Sequence, residues 1–240
     1  FFGNSHSGDR LRKRMTQYND EARLLLPQNN ELMSALHRDN TAAEKQAKYL
    51  YNYGGYPVYA NTKTTYFPIG EAKFAAMIEE LEKAQGKMWG TILDILERKV
   101  KEGVDVRMIY DDIGCLFTLP YKYNEILEEK GIKCRVFNQF RPIWSAKMNN
   151  RDHRKILVID GHTAFTGGIN LADEYINEYE KYGHWKDSAV MLKGEGVWSF
   201  TMMFLAMWNF LTHSKPDEYS QYMPRPEEIA DCRGEGLVVP

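Results

Sequence analysis

The residues best suited to chemistry lie in one stretch, His153 to Asn170, whose pattern is H-x-K-x4-D-x6-G-G-x-N. This set suits attack on phosphorus. The imidazole of His153 is a nitrogen nucleophile, and Lys155 and Asn170 can hold the oxygens of a phosphodiester. Gly167 and Gly168 let backbone approach the site with no side chain in the way. On an extended strand residues two apart share a face, so His153 and Lys155 point the same way. Asp160 follows seven residues after His153, roughly 23 Å along an extended chain, so it is expected to lock a turn and not to orient the imidazole. The chemistry requires no metal and no other cofactor. The clusters that a two-metal site needs are absent apart from Asp111-Asp112.

These residues must be positioned by a sheet and its covering helices. Residues 156–159 read as a near-continuous apolar strand, stopped by Asp160-Gly161, a two-residue hairpin signal. A two-residue turn sets Gly168 across from His153 and Thr166 across from Lys155, with residues 163–166 as the returning strand. Residues 171–177 are expected to open a helix with Asn170 as its N-cap, whose free N–H groups suit an anion. Further strands are expected at 104–110, 133–137 and 187–192, with a hairpin formed by 56–59 and 62–67. Helices are expected at 71–85, 89–101 and 123–130. An apolar helix over 197–211 reads as buried core. This β/α alternation implies a sheet covered by helices.

The chain has 240 residues with 31 Lys and Arg against 33 Asp and Glu, a net charge of -2, which speaks against a nucleic-acid coat. Hydrophobic residues are 43% and charged residues 27%, so a disordered chain is excluded. Three cysteines (Cys115, Cys134, Cys232) lack metal-ligand spacing and read as reduced thiols. No window reaches the ~20 apolar residues of a membrane span. The basic cluster Arg10 to Arg14 reads equally as a solvated helix face or as a patch for lipid headgroups. The apolar ends, Phe1-Phe2 and Leu237 to Pro240, suggest a piece of something longer.

The motif resembles the HKD signature of the phospholipase D superfamily with its downstream glycine extension. The text from His153 to Tyr175, then Gly183 to Val190, then Phe204 to Phe210, is similar to bacterial cardiolipin synthases. Tyr56 to Tyr59, Tyr66 to Glu71 and Gly103 to Asp112 fit as well. The resemblance implies an α/β fold, a phospholipase D-like α/β/α sandwich with a mixed β-sheet flanked by helices, forming one half of a two-half enzyme. It divides the chain into a helical juxtamembrane segment (1–54), a phospholipase D-like domain with one HKD motif (55–215) and a linker toward a second half (216–240).

The resemblance further implies transfer of a phosphatidyl group between two phosphatidylglycerol molecules at a bacterial cell membrane, with no nucleic acid partner. His153, Lys155 and Asp160 carry over as the motif's catalytic letters. Asp187, on a later strand, carries over as the acid that orients the imidazole, with an ordinary salt bridge as its other reading. Asn170, Gly167 and Gly168 carry over as substrate-binding positions. Trp144 and Tyr175 line a lipid channel or the core, while His162 and His184 read as surface histidines. One HKD motif is half of a site. The partner half is therefore expected from the same parent chain or from a homodimer, as in single-motif phosphodiesterases; a non-catalytic lipid-binding half is the remaining reading. A strand expected in this family is missing where Gln85 meets Gly86.

Overall fold

The computed structural model describes residues 6–39, 41–68, 72–73, 75–77, 90–115, 119–139, 151–177, 183–214 and 219–232. Trp144 and the Gln85–Gly86 junction lie outside the described residues. The fold is α/β. Three helices, α1 (His6–Arg23), α2 (Asn30–Asp39) and α3 (Thr41–Tyr49), lead into strand β1 (Thr62–Phe67). Helix α4 (Gly90–Lys101), strand β2 (Arg107–Asp111), the single turn α5 (Asp112–Cys115), α6 (Tyr123–Glu129) and β3 (Lys133–Phe137) follow. The motif region supplies β4 (Ile156–Ile159) and β5 (Thr163–Gly167), before β6 (Ala189–Gly194) and α7 (Val197–Thr212).

The expected mixed sheet is divided among the described residues into two ladders. One is antiparallel, in the order β1-β6-β5-β4; the other is the parallel pair β2-β3. Directly opposed residues share a face, which separates the two sides of the antiparallel sheet. Ile156, Val158, Ala164, Val190 and Leu192 meet Val197, Phe200 and Met203 of α7 on one side. Leu157 and Ile159 meet Ile92 and Ile95 of α4 on the other. Helix α7 is apolar on every side because it is core on every side: the sheet covers one flank, Ala22 and Leu26 another, and Phe137 a third. No helix among the described residues is long and apolar enough to cross a membrane.

Several expectations are corrected. Residues 56–59 do not pair with β1, which lies instead along β6. Pro57 has no N–H to give a ladder, and the Val58 N–H is taken by Gln28 Oε1 at 3.1 Å. The β4–β5 turn holds three residues, not two: Ile159 pairs with Thr163 and Ile156 with Thr166. Asp160 and Gly161 both take positive φ, and the His162 carbonyl is held by the Gly194 N–H at 3.0 Å. A one-residue slip exchanges the faces of a strand, and the observed register is the one that sends Ala164 to α7. Residues 219–232 lie against the domain. Tyr219 is buried beside Trp198 and Leu205, and its hydroxyl accepts from the fully buried Asn209 amide at 2.8 Å. The Arg107 guanidinium lies 5.5 Å from the Trp208 ring and 5.3 Å from that of Tyr222. Cys134 is buried in the core around α6 and β3, and Arg14 of the basic cluster lies over Phe210 and donates to His213.

Gly194 ends β6 at φ +114°, and a Cβ there would lie 2.0 Å from the Asn61 carbonyl oxygen. Gly194→Ala is therefore expected to lower the unfolding free energy by roughly 3 kcal/mol, combining positive-φ strain with a backbone overlap. Urea denaturation checks this; an unchanged midpoint contradicts it.

Candidate active site

Lys155 stands one residue before β4, so extending the observed ladder by one step sets it opposite Gly167. Gly167 in turn pairs with Ala189. The slipped register therefore keeps Lys155 on the α4 side of the sheet and gives it a glycine as neighbour where Thr166 was expected. Asp187 lies two residues before Ala189 and so approaches the same side. A Cβ added to Gly168 would sit 2.4 Å from Asp187 Oδ2, and one added to Gly167 would sit 2.8 Å from the Ser188 carbonyl oxygen. The glycine pair is thus required by close approach: its backbone passes directly under the Asp187 carboxylate.

His153 is exposed, and the Lys155 ammonium reaches back to its carbonyl at 2.9 Å. No hydrogen bond from Asp187 to the His153 imidazole is formed among the described residues. The carboxylate is held elsewhere, accepting from the Ser188 N–H at 2.7 Å and the Trp185 indole N–H at 3.4 Å. Asn170 does not cap a helix. Residues 173–176 make only one 3-10 turn, and the Asn170 amide donates to the Tyr175 hydroxyl at 2.8 Å. The Tyr175 ring meets that of Trp185 edge-on at 4.7 Å, so Asn170, Tyr175, Trp185 and Asp187 form a connected row. Asn177 fastens the row by bonding both the N–H (2.6 Å) and the carbonyl (3.1 Å) of Trp185. Asp160 sits at the other end of β4, in the turn, away from this cluster. His162 belongs to the same turn and bonds Thr163.

Sequence reasoning missed three groups. The first is Asp111, read only as part of a possible metal cluster. It stands at the end of β2 and takes the Arg151 Nε–H on both oxygens (2.9 and 3.0 Å), the Asp152 N–H at 2.9 Å and the Gly114 N–H at 3.1 Å. The parallel pair thereby anchors the segment that carries His153. The second is Asp152, which fixes Arg154 through two guanidinium bonds of 2.9 and 2.8 Å. The third is Lys73. Its ammonium lies 3.0 Å from where a Gly167 Cβ would be, and the residue is 3% exposed. A long-range contact of this kind leaves no periodic or motif signal. Among the described residues, no three His, Cys, Asp or Glu side chains group as a metal site.

Burial pushes the Lys73 ammonium down to about 8, with Asp187 opposing that fall and Lys155 adding to it. Burial also lowers Lys155, against the pull of Asp152, Asp187 and Asp111. Beside His153 opens a cleft of about 500 Å³, walled by Met203, Met207 and Phe210 of α7 and by Tyr18 of α1, with Arg151 and Arg154 on its margin. Gly168→Ala is expected to force the Asp187 carboxylate off the glycine and to lower turnover by about 100-fold, since displacement of about 1 Å at a reacting site has that effect. The melting temperature should change little. A variant with native turnover contradicts the placement of Asp187.

The α/β fold and the single HKD motif with its glycine pair define a phospholipase D-like domain. The family described as cardiolipin synthase, PLD-like domain, matches residues 77–193. The chain is 35% identical over 175 residues to a cardiolipin synthase of Geobacillus thermodenitrificans, covering 68% of this chain and 35% of that protein. It is 31% identical over 224 residues to cardiolipin synthase 2 of Bacillus cereus, covering 88% of this chain and 43% of that protein. An uncharacterized protein of Streptococcus mutans is 51% identical over 206 residues, 81% of this chain and 44% of its own length. The chain belongs to the cardiolipin synthase-like members of the phospholipase D superfamily. It spans between 35% and 44% of the length of these three relatives.

Proposed function

We propose that this chain is one catalytic half of a phosphatidyltransferase that joins two phosphatidylglycerol molecules into cardiolipin and glycerol. The observation that carries the reading is the convergence of Lys155 and Asp187 on the Gly167-Gly168 backbone beside His153. In the first step a ring nitrogen of neutral His153 attacks phosphorus. The bond from phosphorus to the glycerol headgroup breaks, and glycerol leaves with a proton supplied by the histidine of a second HKD half. In the second step a hydroxyl of another phosphatidylglycerol attacks the phosphatidyl-histidine. The P–N bond breaks, and the hydroxyl proton returns to the second histidine. Lys155 neutralises the phosphate oxygens throughout. The motif letters Asp160 and Asn170 act here through structure, Asp160 by shaping the turn and Asn170 by holding the Tyr175–Trp185 row that reaches Asp187. The cleft is apolar along α7, has the ion-paired Arg151 and Arg154 at its margin, and shares His153 with the site; its apolar wall suits an acyl chain, and we place the reaction at the surface of an anionic membrane.

The test is to incubate the chain with phosphatidylglycerol vesicles carrying labelled phosphate, together with a second HKD half, and to quench in base, where phosphohistidine survives. Label on the peptide containing His153 is expected. Its absence from folded protein overturns the phosphatidyltransferase reading in favour of a non-catalytic lipid-binding half. Labelling that needs no second half, with a dimeric mass in solution, favours the single-motif homodimer.

A further inference from the structure

We propose that Lys73 is a second phosphate-binding cation of the His153 site, delivered beside Gly167 on the same side of the sheet as Lys155. The proposal rests on the reading that the site takes a phosphodiester.

Three observations carry it. Lys73 is 3% exposed, and among the described residues no hydrogen bond or ion pair holds its ammonium. Lysine is almost never buried to this degree without a partner. Its nitrogen is also not set among apolar groups at random. It lies 3.0 Å from the position a side chain would occupy on Gly167, where the Ser188 carbonyl oxygen and the Ala189 Cβ also approach to 2.8 Å. Finally, the charged groups facing it are Asp187 and Lys155, the same two that border the glycine pair. Asp187 attracts it but is not within ion-pair distance. Two ammonium groups thus border the Gly167 position; Asp187 acts on both, Asp152 and Asp111 act on Lys155 alone, and Lys73 is the one with no bonded partner among the described residues.

A dianion or phosphodiester bound between Lys73 and Lys155 satisfies both ammonium groups at once. The depressed proton affinity of Lys73 agrees with an ammonium that lacks its counter-ion. It also supplies a pH signature: as pH rises through about 8, Lys73 becomes neutral and anion binding weakens.

The roles of Lys73 as anion ligand and as structural support separate by stability. Methionine has nearly the shape of lysine without the charge. Removing an uncompensated buried charge stabilises a fold, whereas removing a structural ion pair destabilises it.

The experiment is calorimetric titration of the native chain, K73M, K73R and K155M with inorganic phosphate at pH 7, alongside thermal melts. K73M is expected to weaken phosphate binding at least 10-fold while melting at the native temperature or above it. K73R should stay within about 3-fold of native, and K155M should weaken binding as K73M does. If K155M weakens binding and K73M does not, the Lys73 assignment is overturned and the phosphodiester reading stands. If the native chain binds no phosphate, or K155M binds as native does, the phosphodiester reading itself fails. Should K73M not fold, acetylation of Lys73 in the native protein decides the matter. Phosphate should slow it several-fold, and an unchanged rate overturns the assignment.

Discussion

Replacing His153 by alanine is expected to lower phosphatidyl transfer by about 10⁴-fold or more and to abolish the labelled adduct, because the variant has no atom that can hold the phosphatidyl group between donor and acceptor. The effect should fall on the rate and not on the fold. His153 is exposed, and the hydrogen bond it makes among the described residues is to its backbone carbonyl, which alanine keeps. The segment around it is held by Asp111, Arg151 and Asp152, none of which the substitution touches. The measurement is cardiolipin formation from labelled phosphatidylglycerol with a second HKD half present. A variant that retains more than a hundredth of native turnover, at native melting temperature, removes His153 from the nucleophile's role.

Lys155→Met should lower the same rate by about 10²- to 10³-fold, the range seen when one preorganised group opposite a developing negative charge is removed. Its ammonium is pre-positioned by the 2.9 Å bond to the His153 carbonyl, on the side of the sheet where Asp187 and Lys73 close on the glycine pair. Methionine fills the same volume, so the packing of Leu157 and Ile159 on α4 is preserved and the loss is electrostatic. Arginine at this position should restore part of the rate if charge is what matters. Equal losses in K155R and K155M would instead assign Lys155 a shape-dependent role. Burial lowers the proton affinity of Lys155, so alkaline pH deprotonates it earlier than a surface lysine. The rate should therefore fall on the alkaline side in native protein, and K155M should keep only the part of that limb that Lys73 carries.

Much of this molecule was legible as a string of residues. The strands Lys133–Phe137 and Ile156–Ile159 stand where apolar, β-branched runs placed them, and α7 is the buried core helix that its composition required. Elements of this kind are local, and their patterns repeat within a few residues. The errors fall where a partner distant in sequence decided the outcome. Asn170 was expected to cap a helix, yet its amide is engaged by Tyr175 and only one 3-10 turn forms. The Asp160-Gly161 turn was read as two residues. The bond from Gly194 to the His162 carbonyl joins a third to it and moves every pairing of β4 by one.

The sequence by itself determined the family: the types and spacing of His153, Lys155, Gly167, Gly168 and Asn170 were sufficient to point to the superfamily, and the attack on phosphorus is the proposal built on them. Covalent order sets which groups travel together on one hairpin, and that information needs no fold. What only the tertiary structure decided is which other groups meet them. Asp187 arrives over Gly168 from the segment that leads into β6, Asp111 arrives from the second ladder, and Lys73 arrives beside Gly167 from more than 90 residues earlier in the chain. Such encounters depend on strand register and on which face a helix covers. Both are set by burial across the whole domain, and no window of sequence contains them.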